Sequence, residues 1–170
     1  MKKKELAICL LDEIEKLFPE ATTELRNWKT PFQFLICILL SAQTTDRQVN
    51  KVTEKLFEKY PNAKSMSKAS NKDIEHTVRG INYFRTKSKH IIEASKILEK
   101  DYKGIPPKDI NKLIKLPGVG YKTANVFLND LYRANQGVAV DTHVSRVARL
   151  YGLTKNTDPT KISHDLEKLY

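Results

Sequence analysis

Apolar residues recur at three- and four-residue spacing along nearly the whole chain, and no run alternates with the β-branched character of a strand. The pattern predicts an all-α fold. Leu6, Cys9, Leu10, Ile14 and Leu17 share one face of a first helix that stops before Pro19. Thr30 is placed to cap a second helix with Pro31 at its first position, running through the apolar stretch Phe34 to Leu40 as far as about Ser41. Thr45 caps a third, which carries Val49, Val52, Leu56 and Phe57 and ends at Tyr60-Pro61-Asn62. A short helix is expected from Asn71 to Arg79, then a longer one from Arg85 to Asp101 with Ile91, Ala94, Leu98 and Tyr102 along one face. Lys103-Gly104 closes that helix and Pro106-Pro107 opens the next. The connections are short, as in a compact helical barrel or bundle.

Composition narrows the class. With 170 residues and 40% apolar content, the chain can bury one core, as a single domain or a compact two-lobed one. The formal charge of +10, from 30 Lys+Arg against 20 Asp+Glu, gives a surface field that favours polyanions such as nucleic acid. A solvated Lys/Glu surface would carry the same charge without any such partner. Cys9 and Cys37 sit far apart inside apolar helical patterns, which predicts buried free thiols and a reducing cytosol. The basic start is followed by Glu5, Asp12, Glu13 and Glu15, so no export signal is read, and Phe34 to Leu40 is too short to span a bilayer. His76, His90, His143 and His164 show neither HxxxH nor paired Cys/His spacing, so no metal site is expected.

The run PKDINKLIKLPGVGYKTANVFLNDLYR, from Pro107, reads as helix, hairpin LPGVG and second helix. Gly118 and Gly120 can take positive φ and bring bare backbone amides close to an approaching group. The start of the second helix adds unpaired N–H donors and the positive end of its dipole. Together these make an anion site suited to a DNA phosphate, and backbone contact there would ignore base sequence. An ordinary glycine turn is the bland alternative for a lone GxG. The full stretch is more specific, with Ile110, Leu113 and Ile114 before it and Ala124, Val126, Phe127 and Leu131 after it.

LPGVGYKTANVFLN, with AVDTHVSRV downstream and LLSAQTTDRQVN upstream, resembles endonuclease III, a family of helix-hairpin-helix DNA glycosylases with abasic-site (AP) lyase activity. The match runs in register from about Thr22 to the end. The resemblance implies a first helix (1–21) belonging to a second, incomplete lobe, a six-helix barrel lobe (22–135) with the helix-hairpin-helix at 107–133, and a return segment (136–170) with the catalytic carboxylate. It implies a monomer of the cytoplasm, at the nucleoid, that acts on double-stranded DNA bearing an oxidised pyrimidine or an abasic site. A catalytically weak or inactive DNA-binding fragment and a monofunctional glycosylase are the alternatives.

Residue by residue, Lys122 matches the family's amine nucleophile. It lies in the first turn of a helix, where the dipole favours the neutral amine, and partial burial would act in the same direction. A surface lysine holding a phosphate as a point charge is the other reading. Asp141 matches the carboxylate that helps deprotonate that amine; an Asp just before a helix carrying Val144, Val147, Ala148 and Tyr151 is also what an N-cap looks like. Gln43 matches the residue that fills the gap left by a flipped base, although a polar helix-end residue would look the same. Where many relatives have Gly-Leu-Tyr this chain has Asn82-Tyr83-Phe84, so Tyr83 stands at the wedge position, unless it and Phe84 simply anchor the loop. Leu116, Gly118, Val119, Gly120 and Thr123 complete the expected DNA contacts, while Ser41, Thr44, Asp46 and His143 are candidates for the base pocket or its support. The family's C-x6-C-x2-C-x5-C ligands for a [4Fe–4S] cluster are absent, so no cofactor is expected in this chain, and Leu6, Leu10 and Ile14 are expected to be partly exposed or repacked.

Overall fold

The computed structural model describes residues 2–19, 23–134 and 137–170, and every regular element among them is a helix. The chain divides into two compact units, Glu24–Ala134 and the paired segments Met1–Thr23 and Asn135–Tyr170.

Glu24–Ala134 is built around α2 (Pro31–Ser41), which packs against α3 (Asp46–Lys59), α6 (Phe84–Tyr102) and α8 (Tyr121–Tyr132). A helix apolar on every side must be surrounded to be stable, and Phe32 through Leu40 are all buried. Phe34 lies at the centre, with its ring centroid 4.7 Å from that of Trp28 and 6.2 Å from that of Phe127. Each large side chain so buried contributes about 1.5–3 kcal/mol of transfer free energy. The one long polar side chain within α2, Gln33, is satisfied: its Oε1 accepts from the Lys29 amide at 2.7 Å and its Nε2 donates to the Pro61 carbonyl at 3.0 Å.

The expected caps are in place. Thr30 accepts from the Gln33 amide and Thr45 from the Gln48 amide. α4 (Ala63–Ser67), capped by Asn62, is a helix that periodicity does not predict, since five residues span little more than one turn. α5 (Asn71–Thr77) ends two residues early. At the end of α6, Lys103 and Gly104 are both left-handed and the Gly104 amide returns to the Leu98 carbonyl, which closes the helix as expected. α7 (Ile110–Leu113) begins after Asp109, not at Pro106-Pro107, because the Asp109 carboxylate accepts the amides of Asn111 and Lys112 and sets the start there.

The other unit contains α1 (Lys3–Leu17), α9 (Thr142–Leu150) and α10 (Pro159–Glu167) around a smaller core of Ala7, Val140, Ala148, Leu153, Ile162 and Leu166. Leu6 and Leu10 are half-buried and Ile14 is exposed, in line with expectation. Cys9 is a correction: it is exposed, because Ala7 faces the core and a residue two positions on points about 200° away. Asp165 binds the loop after α9 by accepting from Thr154 and Asn156, bonds that hold its carboxyl below the usual carboxylate range.

Candidate functional site

The hairpin is anchored by apolar side chains and exposes backbone. Leu113, Leu116 and Val119 are buried, the Leu116 amide donates to the Leu113 carbonyl at 2.9 Å, and the Val119 amide to the Leu116 carbonyl at 3.0 Å. Side-chain contact with a partner is therefore closed to Leu116 and Val119, and only their backbone can serve it.

The two glycines differ. Gly118 has φ +78°, and a Cβ there would stand 2.8 Å from His90 Nδ1 and 3.1 Å from Leu39 Cδ2. Gly120 has φ −85°, which corrects the expectation of positive φ, and a Cβ there would meet nothing within 4 Å. Its role is different: as the N-cap of α8 it carries no side chain to occupy the first-turn amides, and the space above it is open. Gly118→Ala is expected to cost about 3 kcal/mol, from left-handed backbone and overpacking together. Gly120→Ala should cost less than about 1 kcal/mol, the difference between two N-cap residues, yet weaken binding to duplex DNA. Thermal melts and a binding titration of both variants check the pair.

Ala124, Phe127 and Leu128 hold α8 on its buried face. Lys122, two positions before Ala124, projects from the opposite side and is exposed, not half-buried, while Thr123 is half-buried. The helical bonds of α8 begin with the Ala124 amide on the Gly120 carbonyl.

Gln43 and Tyr83 are brought together. Both are exposed, and both hold left-handed backbone, with φ of 56° and 57°. Asn82 links them: its Nδ2 donates to the Gln43 carbonyl at 2.5 Å and its amide to Thr44 Oγ1 at 3.3 Å. Phe84 packs on the core, whereas Tyr83 is 67% exposed, so the two aromatics part company. Ser41 turns its hydroxyl back to the Ile38 carbonyl; Thr44 and Asp46 are half-buried, with Asp46 at the first position of α3, where a carboxylate complements the dipole. Sequence reading missed Asn82 as a tie and Lys87 altogether; neither carries a motif signal.

Asp141 caps α9, its Oδ1 accepting the amides of His143 at 2.9 Å and Val144 at 2.8 Å. The carboxylate is thereby fixed in orientation. The His143 side chain is exposed.

A [4Fe–4S] cluster needs four thiolates. The chain's two cysteines do not fit it: Cys9 lies on α1, and Cys37 is fully enclosed in α2, where burial pushes its thiol up to about 12. Among the described residues no group of three His, Cys, Asp or Glu side chains is arranged to hold a metal, and no helix is long and apolar enough to cross a membrane.

Comparison with known proteins agrees with this geometry. The family model for HhH-GPD superfamily base excision DNA repair proteins matches residues 36–170. Endonuclease III of Synechocystis sp. is 42% identical over 98% of this chain and 76% of its own length, and endonuclease III of Bacillus subtilis is 39% identical over 91% and 69%. A solved structure of a trapped endonuclease III–DNA covalent intermediate, an estranged-adenine complex, is 38% identical and matches with a TM-score of 0.90, over 100% of this chain and 79% of that one. The chain belongs to the HhH-GPD superfamily of base excision DNA repair proteins and, within it, to the endonuclease III family.

Proposed function

We infer that this protein is a bifunctional base excision repair enzyme: an N-glycosylase that removes oxidised pyrimidines from duplex DNA, and an AP lyase that cleaves 3′ to the abasic site. The carrying observation is Lys122, an exposed amine in the first turn of α8, two residues from the side-chain-free cap at Gly120.

The amides around Gly120 take a backbone phosphate, which sets the strand in place without reading bases. Lys122 Nζ, as the free amine, attacks C1′ of the damaged nucleoside. The C1′–N bond breaks, the base leaves with the electron pair and takes up a proton, and the opened sugar is held on Lys122 as a Schiff base. Loss of a C2′ proton then expels the 3′ phosphate, and water releases the amine. Asp141 accepts the ammonium proton and faces the positive charge that develops on the sugar. Gln43 occupies the gap left by the extruded nucleotide, Tyr83 pushes between neighbouring bases, and Ser41, Thr44, Asp46 and His143 support the base. The protein acts as a monomer at the nucleoid, and residues 1–170 need no cofactor for these steps.

A duplex with one oxidised pyrimidine tests the reading. The protein should release the base, nick the strand 3′ to it and, with borohydride present, become covalently attached to the DNA. Base release with neither nick nor adduct would mark a monofunctional glycosylase instead. The net charge of +10 predicts that binding weakens steeply with salt whichever holds.

A further inference from the structure

We propose that Lys87 is a positioning residue that joins the turn carrying Gln43 to the start of the helix carrying Tyr83, so that the two side chains enter DNA as one rigid wedge. The inference rests on the reading above that both enter the duplex.

Lys87 lies in the first turn of α6 and is only 8% exposed. Its Nζ donates to the Leu40 carbonyl at 2.7 Å, the Ala42 carbonyl at 2.6 Å and Thr44 Oγ1 at 3.2 Å. An ammonium has three donors, and all three are engaged. Leu40 and Ala42 belong to the end of α2, where helix carbonyls have no partner within their own helix and the dipole is negative. The usual device for closing such an end is a left-handed glycine. Here the left-handed residue is Gln43, and a cation from another helix does the capping.

That arrangement is expensive if stability is its only purpose. The three acceptors are neutral, and burial pulls the Lys87 ammonium down to about 8. Gln43 and Tyr83 each hold backbone that L side chains rarely adopt. Asn82 adds two further bonds to the same turn, from its side chain to Gln43 and from its amide to Thr44, so five hydrogen bonds tie 82–87 to 40–44. Tyr83 and Lys87 also line a groove of about 210 Å³ together with Ala42, His90 and Gly118, which places the clamp beside the hairpin. Strained residues retained by a dedicated buried clamp at a DNA-facing edge indicate a device for presenting side chains. Lys87 is no alternative nucleophile, since its nitrogen is buried and fully hydrogen-bonded.

The test uses a duplex with a reduced, unreactive abasic site opposite 2-aminopurine, whose emission rises when the orphaned base is unstacked. Wild-type protein at saturation should raise the emission. Lys87→Met, which keeps the apolar stem and removes the donors, should raise it by less than half as much at saturation, well below its melting temperature. On a reactive abasic duplex its single-turnover nicking should fall on the order of tenfold, and adding Gln43→Ala should cost little more, as expected for residues acting as one unit. Wild-type emission from Lys87→Met, or losses that multiply with those of Gln43→Ala, would overturn the proposal. So would a wild-type protein that leaves 2-aminopurine stacked. If Lys87→Met does not fold, Asn82→Ala removes one exposed bond of the same clamp and should show the same signature at smaller size, with wild-type behaviour counting against the clamp. Wild-type protein that unstacks the base but never nicks refutes the lyase reading and leaves the emission comparison to decide on Lys87.

Discussion

Lys122→Ala should eliminate the borohydride-trapped adduct and slow nicking of an abasic duplex by at least about a thousandfold, the scale of losing a covalent nucleophile. The fold should not notice. Lys122 is exposed at the second position of α8, opposite the face held by Ala124 and Phe127, and alanine is the best helix former, so stability should stay within about 0.5 kcal/mol. Affinity for a duplex with a reduced abasic site should change only by the loss of one cation among many, a few-fold at moderate salt. Lys122→Arg sharpens the distinction. It keeps the charge that would serve a phosphate but offers a guanidinium that stays protonated, so it should bind DNA normally and form no adduct. An adduct of wild-type yield from Lys122→Ala would move the chemistry to another amine and refute the assignment.

How far the sequence foretold this molecule depends on the range of the interaction concerned. Caps are local: Thr30, Thr45 and Asp141 each sit beside the amides they accept, and all three could be read from a few neighbouring residues. α4 escaped because one turn of helix has no period to detect. The hairpin was legible as a motif, but the division of labour between its glycines was not. Gly118 is required by His90 and Leu39, residues far along the chain that fill the space beside it, whereas Gly120 is set apart by the lack of any neighbour.

The clamp at Gln43 was out of reach for the same reason. Its bonds join residues 38 to 47 positions apart, and Lys87 is one of 30 basic residues with no motif to mark it. Burial alone sets it apart from the solvated lysines around it. Cys9 failed in the opposite direction. Its apolar neighbours suggested a core position, but the angle from Ala7 decides, and it points away from the core.

Asp141 combines two roles that a pair of substitutions can separate. Its Oδ1 holds the amides of His143 and Val144, a task that the amide oxygen of asparagine performs as well as a carboxylate. Asp141→Asn should therefore melt within about 0.5 kcal/mol of wild type, whereas Asp141→Ala should lose about 1 kcal/mol with the cap. Activity should divide differently. If the carboxylate takes the Lys122 proton and faces the developing charge on the sugar, both variants lose it equally, and each should slow base release and nicking by roughly a hundredfold or more. A fast, stable Asp141→Asn would reduce the residue to a cap. A slow, stable one isolates the charge, because the variant retains the geometry of α9 and lacks only the negative oxygen. Comparing the two melts with the two rates thus tests a catalytic role without confusing it with folding.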